Sequence, residues 1–350
     1  MLKGGVYIPP IPHMEYRLMR SNSAPRGRVF GLAALFALFV APFAGTAQEV
    51  DPSPPVEGID YAVYESDGDD SSFADLLKAL DKADAVLVGE QHDDMVGHGF
   101  QAELLSAATR RFAEGTEDAR PVVLSLEMFE RDVQYIVDEY LEGLISEDHF
   151  LRSARPWDFY EERYRPMVEY AREHHLPIVA ANAPRRYVNR VTREGPGSLE
   201  VLSEEARSYL PPLPFPGPSD DYRAEWDALF ESMMPPPDTT GAEPAPRHQP
   251  NPNSLHSQAL WDAAMGESVA RALEATEDAL VLHMVGSFHV QNGTGIPERL
   301  EDFLPGARQL IVVMLKVDDV REWDSDEFKD LGDYVILTQK PATTERPVSD

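Results

Sequence analysis

Short, uninterrupted apolar runs alternate along this chain with longer helical patterns. Residues 85–88 (AVLV), 122–126 (VVLSL), 177–181 (PIVAA) and 280–285 (LVLHMV) are rich in branched side chains and lack polar alternation. Such runs predict strands buried on both faces, the habit of parallel sheets. Gln309–Val317 and Tyr334–Gln339 read as two further strands. Helical patterns fall near residues 98–112, 132–143 and 296–303. The alternation predicts an α/β, three-layer fold: a mainly parallel central sheet with helices on both faces. Its core is expected over residues 73–145, 176–198 and 276–340, with a tail at 341–350. Strand patterns are missing from 146–175 and 199–275, which carry Trp157, Tyr160, Tyr164, Trp226 and Trp261. These segments predict an inserted helical cap, with a Pro-rich loop around 235–253.

The N-terminus changes the picture. Residues 1–47 hold five basic side chains and one acid, and Arg20, Arg26 and Arg28 precede a continuous apolar run at 29–40. Small residues Gly45 and Ala47 follow Pro42. This reads as a cleaved signal peptide, with Met19 as an alternative start, and places the protein in the periplasm. The run is too short for a membrane span, and no direct membrane insertion of the mature chain is expected. Residues 48–72 are rich in Pro and acids and read as a flexible arm.

Charge then narrows the partners. The chain has 31 Lys and Arg against 61 Asp and Glu, a formal net charge of −30, and only six of the basic residues are Lys. Such a surface repels phosphate backbones, so no nucleic acid is expected as a partner. There is no Cys, hence no disulfide framework, no thiolate metal site and no lipobox anchor.

In an open parallel sheet, ligands bind outside the carboxyl ends of the strands. The first run ends in Glu90, Gln91, His92 and Asp93, the second in Glu127, Met128 and Phe129. The third ends in Asn182, Arg185 and Arg186; the fourth in Ser287 and His289 before a Gly-rich turn. Convergence would bring two carboxylates, two imidazoles and two guanidinium groups to one rim. Each also has a plain structural use. Glu90 and Glu127 could cap helices or pair with Arg185, and His92 or His289 could close a turn. His98 sits in a first helical turn. His283 is mid-strand and reads as a core histidine, while His174 and His175 precede a strand and belong to the opposite edge.

GEQH at 89–92, EMF at 127–129, NAP at 182–184 and GSFHV with GTGIP between 286 and 297 together resemble the ChaN-like haem-binding family. WDFYEERYRPMVEYAR (157–172) and QALWDAAM (258–265) add to the likeness. The wider superfamily is similar to Tiki-type metalloproteases and erythromycin-esterase-like hydrolases. The resemblance implies haem as cofactor, a role in haem-iron uptake, a homodimer around haem and a membrane-associated uptake partner. It implies a Tyr iron ligand. Tyr160 and Tyr164 are the candidates here, with Arg163 or Arg165 lowering the phenol pKa, because phenolate suits ferric iron. His92, His98 and His289 would serve as a second ligand or propionate partner, and Arg185 and Arg186 would pair with propionates. The alternative is a hydrolase. Glu90, His92, Glu127 and His289 would then bind a divalent metal such as Zn, Mn or Fe, or activate water directly.

Overall fold

A computed structural model describes residues 54–232 and 251–341. The expected signal peptide, the first residues of the arm, most of the Pro-rich loop and nearly all of the tail lie outside them. Among the described residues no helix is long and apolar enough to cross a membrane.

Among the described residues eight strands form one sheet: β1 (Tyr61–Glu65), β2 (Asp70–Ser71), β3 (Ala85–Glu90), β4 (Val122–Glu130), β5 (Ile178–Asn182), β6 (Leu280–Gly286), β7 (Gln309–Val317) and β8 (Tyr334–Gln339), in the order β2-β1-β8-β7-β3-β6-β4-β5. The six strands from β8 to β5 are mutually parallel. The four uninterrupted apolar runs are β3 to β6, and β3, β4 and β6 sit side by side in the middle.

Both faces are covered, as those runs required. Val86, Val88, Leu124, Leu126, Leu282 and Met284 join one core with Phe100 and Leu104 of helix Met95–Arg111 and Met167 and Val168 of helix Arg165–Glu173. Ala85, Leu87, Val123, Val281 and Val285 join the other with Met265 and Val269 of helix Ser254–Ala275 and Ile296 and Leu300 of helix Ile296–Phe303. Each such Leu or Val stabilises the fold by roughly 1.5–3 kcal/mol. The helical segments read as a cap therefore supply much of the two flanking layers. Phe150, Tyr160 and Tyr164 belong to the first core.

One expectation is corrected. The arm at 48–72 is not loose over its second half, because β1 and β2 form an antiparallel hairpin on the β8 edge. Tyr61 and Val63 point inward, which gives a period-two signal hidden among the acids.

Register positions the site. Glu90 stands opposite Gly286, so β3 and β6 end level, while β4, paired with β6 up to Leu126 opposite Met284, runs on to Glu130 beside Asn182 of β5. The chain leaves β4 outward toward β5 and leaves β6 back across β3 toward β7. That divergence makes the carboxyl ends of β4 and β6 the switch point at which doubly wound sheets bind their ligands.

Candidate functional site

Two histidine–carboxylate groups meet at this edge, one on each side of Gly286. In the first, Glu90 is buried and accepts three hydrogen bonds. Its Oε1 accepts from the Tyr164 hydroxyl at 2.8 Å and from His92 Nδ1 at 2.9 Å. Its Oε2 accepts from Gln101 Nε2 at 2.7 Å and lies 3.4 Å from His98 Nδ1. Burial would raise its pKa, but the bond from His92, the nearby His98 ring and the bond from Gln101 outweigh that and hold it below the usual range. His98 is itself interior, and its Nε2 faces the His92 carbonyl oxygen at 3.0 Å.

His92 is the accessible member, with a side chain 47% exposed. Burial works against its charge, yet the bond to Glu90 and the nearby Glu127 carboxylate carry its pKa upward. Trp157 stands edge-on to the ring at 5.0 Å. A Cβ placed on Gly286 would come within 3.0 Å of His92 Cε1 and 3.2 Å of Nε2. The imidazole thus rests on bare backbone, with Nδ1 tied to Glu90.

In the second group, Glu127 Oε2 accepts from the Gly286 amide at 2.8 Å, and its Oε1 lies 3.8 Å from His289 Nε2. His289 Nδ1 donates to Asp262 Oδ1 at 2.5 Å from helix Ser254–Ala275. Burial alone would lower the His289 pKa. Asp262, then Glu127, overcome it and raise it to about 9. Tyr222 is buried beside Asp262, and burial, then the Asp262 carboxylate, hold its phenol pKa well above the usual range. His283 is the expected core histidine: its Nδ1 meets Ser125 at 2.9 Å, and desolvation, then the charge of His289, lower its pKa to about 3.

Glu90, His92, Glu127 and His289 therefore share one edge, but as two braced pairs. Among the described residues no three His, Asp or Glu side chains converge as a metal shell. The four are not disposed as the expected divalent-metal cage.

The expected iron ligands are displaced too. The Tyr164 hydroxyl is committed to Glu90, and the Tyr160 hydroxyl is buried without a partner among Phe129 and Phe150. Desolvation raises both phenol pKa values, with the Glu90 charge adding to it at Tyr164 and neighbouring Tyr140 and Glu169 at Tyr160. The guanidinium groups expected to oppose this do so only weakly, Arg165 at Tyr160 and Arg163 at Tyr164, because Arg165 is paired with Glu147 and Arg163 with the His92 carbonyl. Arg186 is paired with Asp132, while Arg185 is exposed.

Sequence reasoning missed Asp262, Gln101 and the packing role of Gly286. The signal for Asp262 was available: a single acid inside the apolar stretch ALWDAAM. Gln101 follows His98 by three residues on the buried helix face, a weaker cue.

The model of the family described as haem-binding uptake, Tiki superfamily, ChaN matches residues 76–300, well over half of the chain and every site residue above. The chain belongs to this family. A solved structure of ChaN of Campylobacter jejuni, described as binding haem cofacially, is 18% identical with a TM-score of 0.60 and covers 82% of this chain and 100% of that one. This likeness establishes the α/β fold of the ChaN family here. A curated relative, the chloroplastic Protein RETICULATA-RELATED 5 of Arabidopsis thaliana, is 24% identical over 208 residues, 57% of this chain. The match spans only 26% of that plant protein's length. An erythromycin esterase in its open conformation is 11% identical over 73% of this chain and 77% of its own, with a TM-score of 0.38, too distant to carry argument.

Proposed function

We propose that this chain is an exported haem-binding protein of haem-iron uptake in which His92 Nε2 is the iron ligand. The observation that carries the reading is the state of His92. It is half-exposed at the carboxyl end of β3, with its other nitrogen bonded to a buried carboxylate at 2.9 Å. An imidazole held in this way presents one nitrogen as a ligand and gains basicity from the other, the arrangement used by metal-ligating histidines. Haem brings the redox and ligand chemistry of its iron. The protein supplies an oriented imidazole, a carboxylate behind it and aromatic walls. The basic leader followed by an apolar run supports export to the periplasm. A homodimer around haem and a membrane-associated uptake partner extend the same reading.

The test is a hemin titration of the purified full chain followed by absorbance. A saturable Soret shift is expected, altered by His92→Ala and unchanged by Tyr160→Phe. A Soret band indifferent to His92→Ala, or one abolished by Tyr160→Phe, would refute His92 as the ligand.

One observation favours a second reading. The buried Asp262–His289–Glu127 array faces His92 across Gly286, and buried charges of this kind are costly unless used. In a hydrolase, His92 would accept a proton from water and His289 would supply one to the leaving group. Turnover of activated esters, lost in Glu90→Gln and Glu127→Gln, would support it. Inactivity of the wild type across ester and peptide substrates would count against it.

A further inference from the structure

Beside His92 stands a side chain to which ligation of iron assigns no part. Phe159 precedes helix Tyr160–Arg163 with φ 65° and ψ 19°, and it is 60% exposed. A bulky residue in the left-handed region is a genuine outlier, kept only where its surroundings hold it. Here the same position also turns an aromatic ring into water. The strain and the exposure coincide, and the fold's interior gains little apolar burial from that ring.

What holds Phe159 is Arg163. Its guanidinium carbon lies 4.3 Å from the Phe159 ring centroid. The same guanidinium donates to the His92 carbonyl oxygen at 2.7 Å. One side of the ring is thus covered by a cation anchored to the backbone of the proposed iron ligand, and the rest is open. Trp157 stands edge-on to His92 two residues earlier in the chain. Arg186 covers the Tyr187 ring in the same way at 4.4 Å, but only the Phe159–Arg163 pair is tied to the His92 backbone, and there, among the acids Asp158, Glu161 and Glu162, the guanidinium offers a cation to an anionic, flat ligand.

We propose that Phe159, backed by Arg163, is a stacking shelf that binds the plane of a conjugated, carboxylate-bearing tetrapyrrole without requiring its metal. The inference rests on the tetrapyrrole reading of this site and is separable from iron ligation by His92. The ring offers its open face to the macrocycle, and the guanidinium behind it polarises the stack and attracts the carboxylate arms. Iron binding by His92 and plane binding by Phe159 are then two independent contributions to one site.

The experiment titrates the full chain with hemin and with metal-free protoporphyrin IX, following quenching of tryptophan fluorescence. Phe159→Ala is expected to weaken both ligands about tenfold, the range of one aromatic stacking contact. Phe159→Trp should restore binding. His92→Ala should weaken hemin alone and leave protoporphyrin within about twofold of wild type. Tyr135→Ala, which removes another ring 62% exposed, should change neither. Unchanged protoporphyrin affinity in Phe159→Ala overturns the shelf. So does a wild type that binds hemin but not protoporphyrin, an outcome that leaves His92 ligation standing. A wild type blind to both removes the tetrapyrrole reading and the shelf with it. If Phe159→Ala alters only the fraction of dimer on gel filtration, the ring belongs to a contact between chains and the shelf is overturned.

Discussion

At the scale of single residues, the site is governed by what each buried charge touches. His289 is interior and lies between Asp262 and Glu127, with His92 and His283 also in its field and the Tyr222 phenol beside Asp262. Its pKa of about 9 in the folded chain exceeds that of a free imidazole, about 6.5. Protonation therefore favours the fold. That stability is complete below about pH 6.5 and is lost as pH rises through about 9. Thermal melts of the wild type between pH 6 and 10 should show this decline, and Asp262→Asn should flatten it. The same substitution removes one side of a buried pair and should cost about 3 kcal/mol at neutral pH by urea denaturation. A parallel decline in Asp262→Asn would show that His289 is not the titrating group. Gly286 offers a second check. Any Cβ there strikes His92 at 3.0–3.2 Å, so Gly286→Ala should swing the imidazole off its seat. Overpacking of this size costs about 1–3 kcal/mol, and hemin affinity should fall with it. Hemin binding with wild-type affinity in Gly286→Ala would mean that the seat of His92 does not matter.

At the scale of elements, the carboxyl end of β4 is the junction that aligns the two histidine groups. Arg131, immediately after β4, is buried and donates to Ser268 at 2.9 Å, to Glu267 at 2.7 Å and to the Ala264 carbonyl. These bonds fix helix Ser254–Ala275, and hence Asp262, against the strand that carries Glu127. Arg131→Met should leave Glu267 buried with only Arg271 as a partner, costing about 3–5 kcal/mol in a denaturant melt. The loss should extend to the pH behaviour of His289. The edge hairpin is a separate matter. β1 pairs with five of the six residues of β8, so a chain starting at residue 73 should expose that edge and associate in light scattering. β3 to β6 were readable as strands because branched, unalternating runs have few other folds open to them. β1 and β2 were not, because the three buried residues of β1, Tyr61 and Val63 on one face and Tyr64 on the other, are too few to stand out from acidic neighbours.

For the molecule as a whole, charge dominates. A chain of net −30 meets a ligand bearing two carboxylates, so long-range repulsion should slow their encounter. Raising ionic strength from about 10 to 150 mM shortens the screening length to about 8 Å and should speed association of hemin severalfold in stopped-flow. A rate that falls with salt would mean that the local guanidinium groups, Arg163 above all, outweigh the global field.

The sequence by itself determined the layers, the order of the parallel strands' chemistry and the fact that Glu90, His92, Glu127 and His289 belong to strand ends. Those follow from local pattern: hydrophobic period selects the element, and the polar residue after a strand is carried to its rim. Only the tertiary structure decided which groups meet. Tyr160 and Tyr164 share a segment with Trp157 and read alike, yet packing sends their hydroxyls inward, one onto Glu90 and one into an apolar core. Asp262 and His289 are 27 residues apart and become partners because a helix from one layer crosses the end of a strand from another. Hydrogen-bond distances and burial are properties of chains folded onto each other, and no single segment contains them.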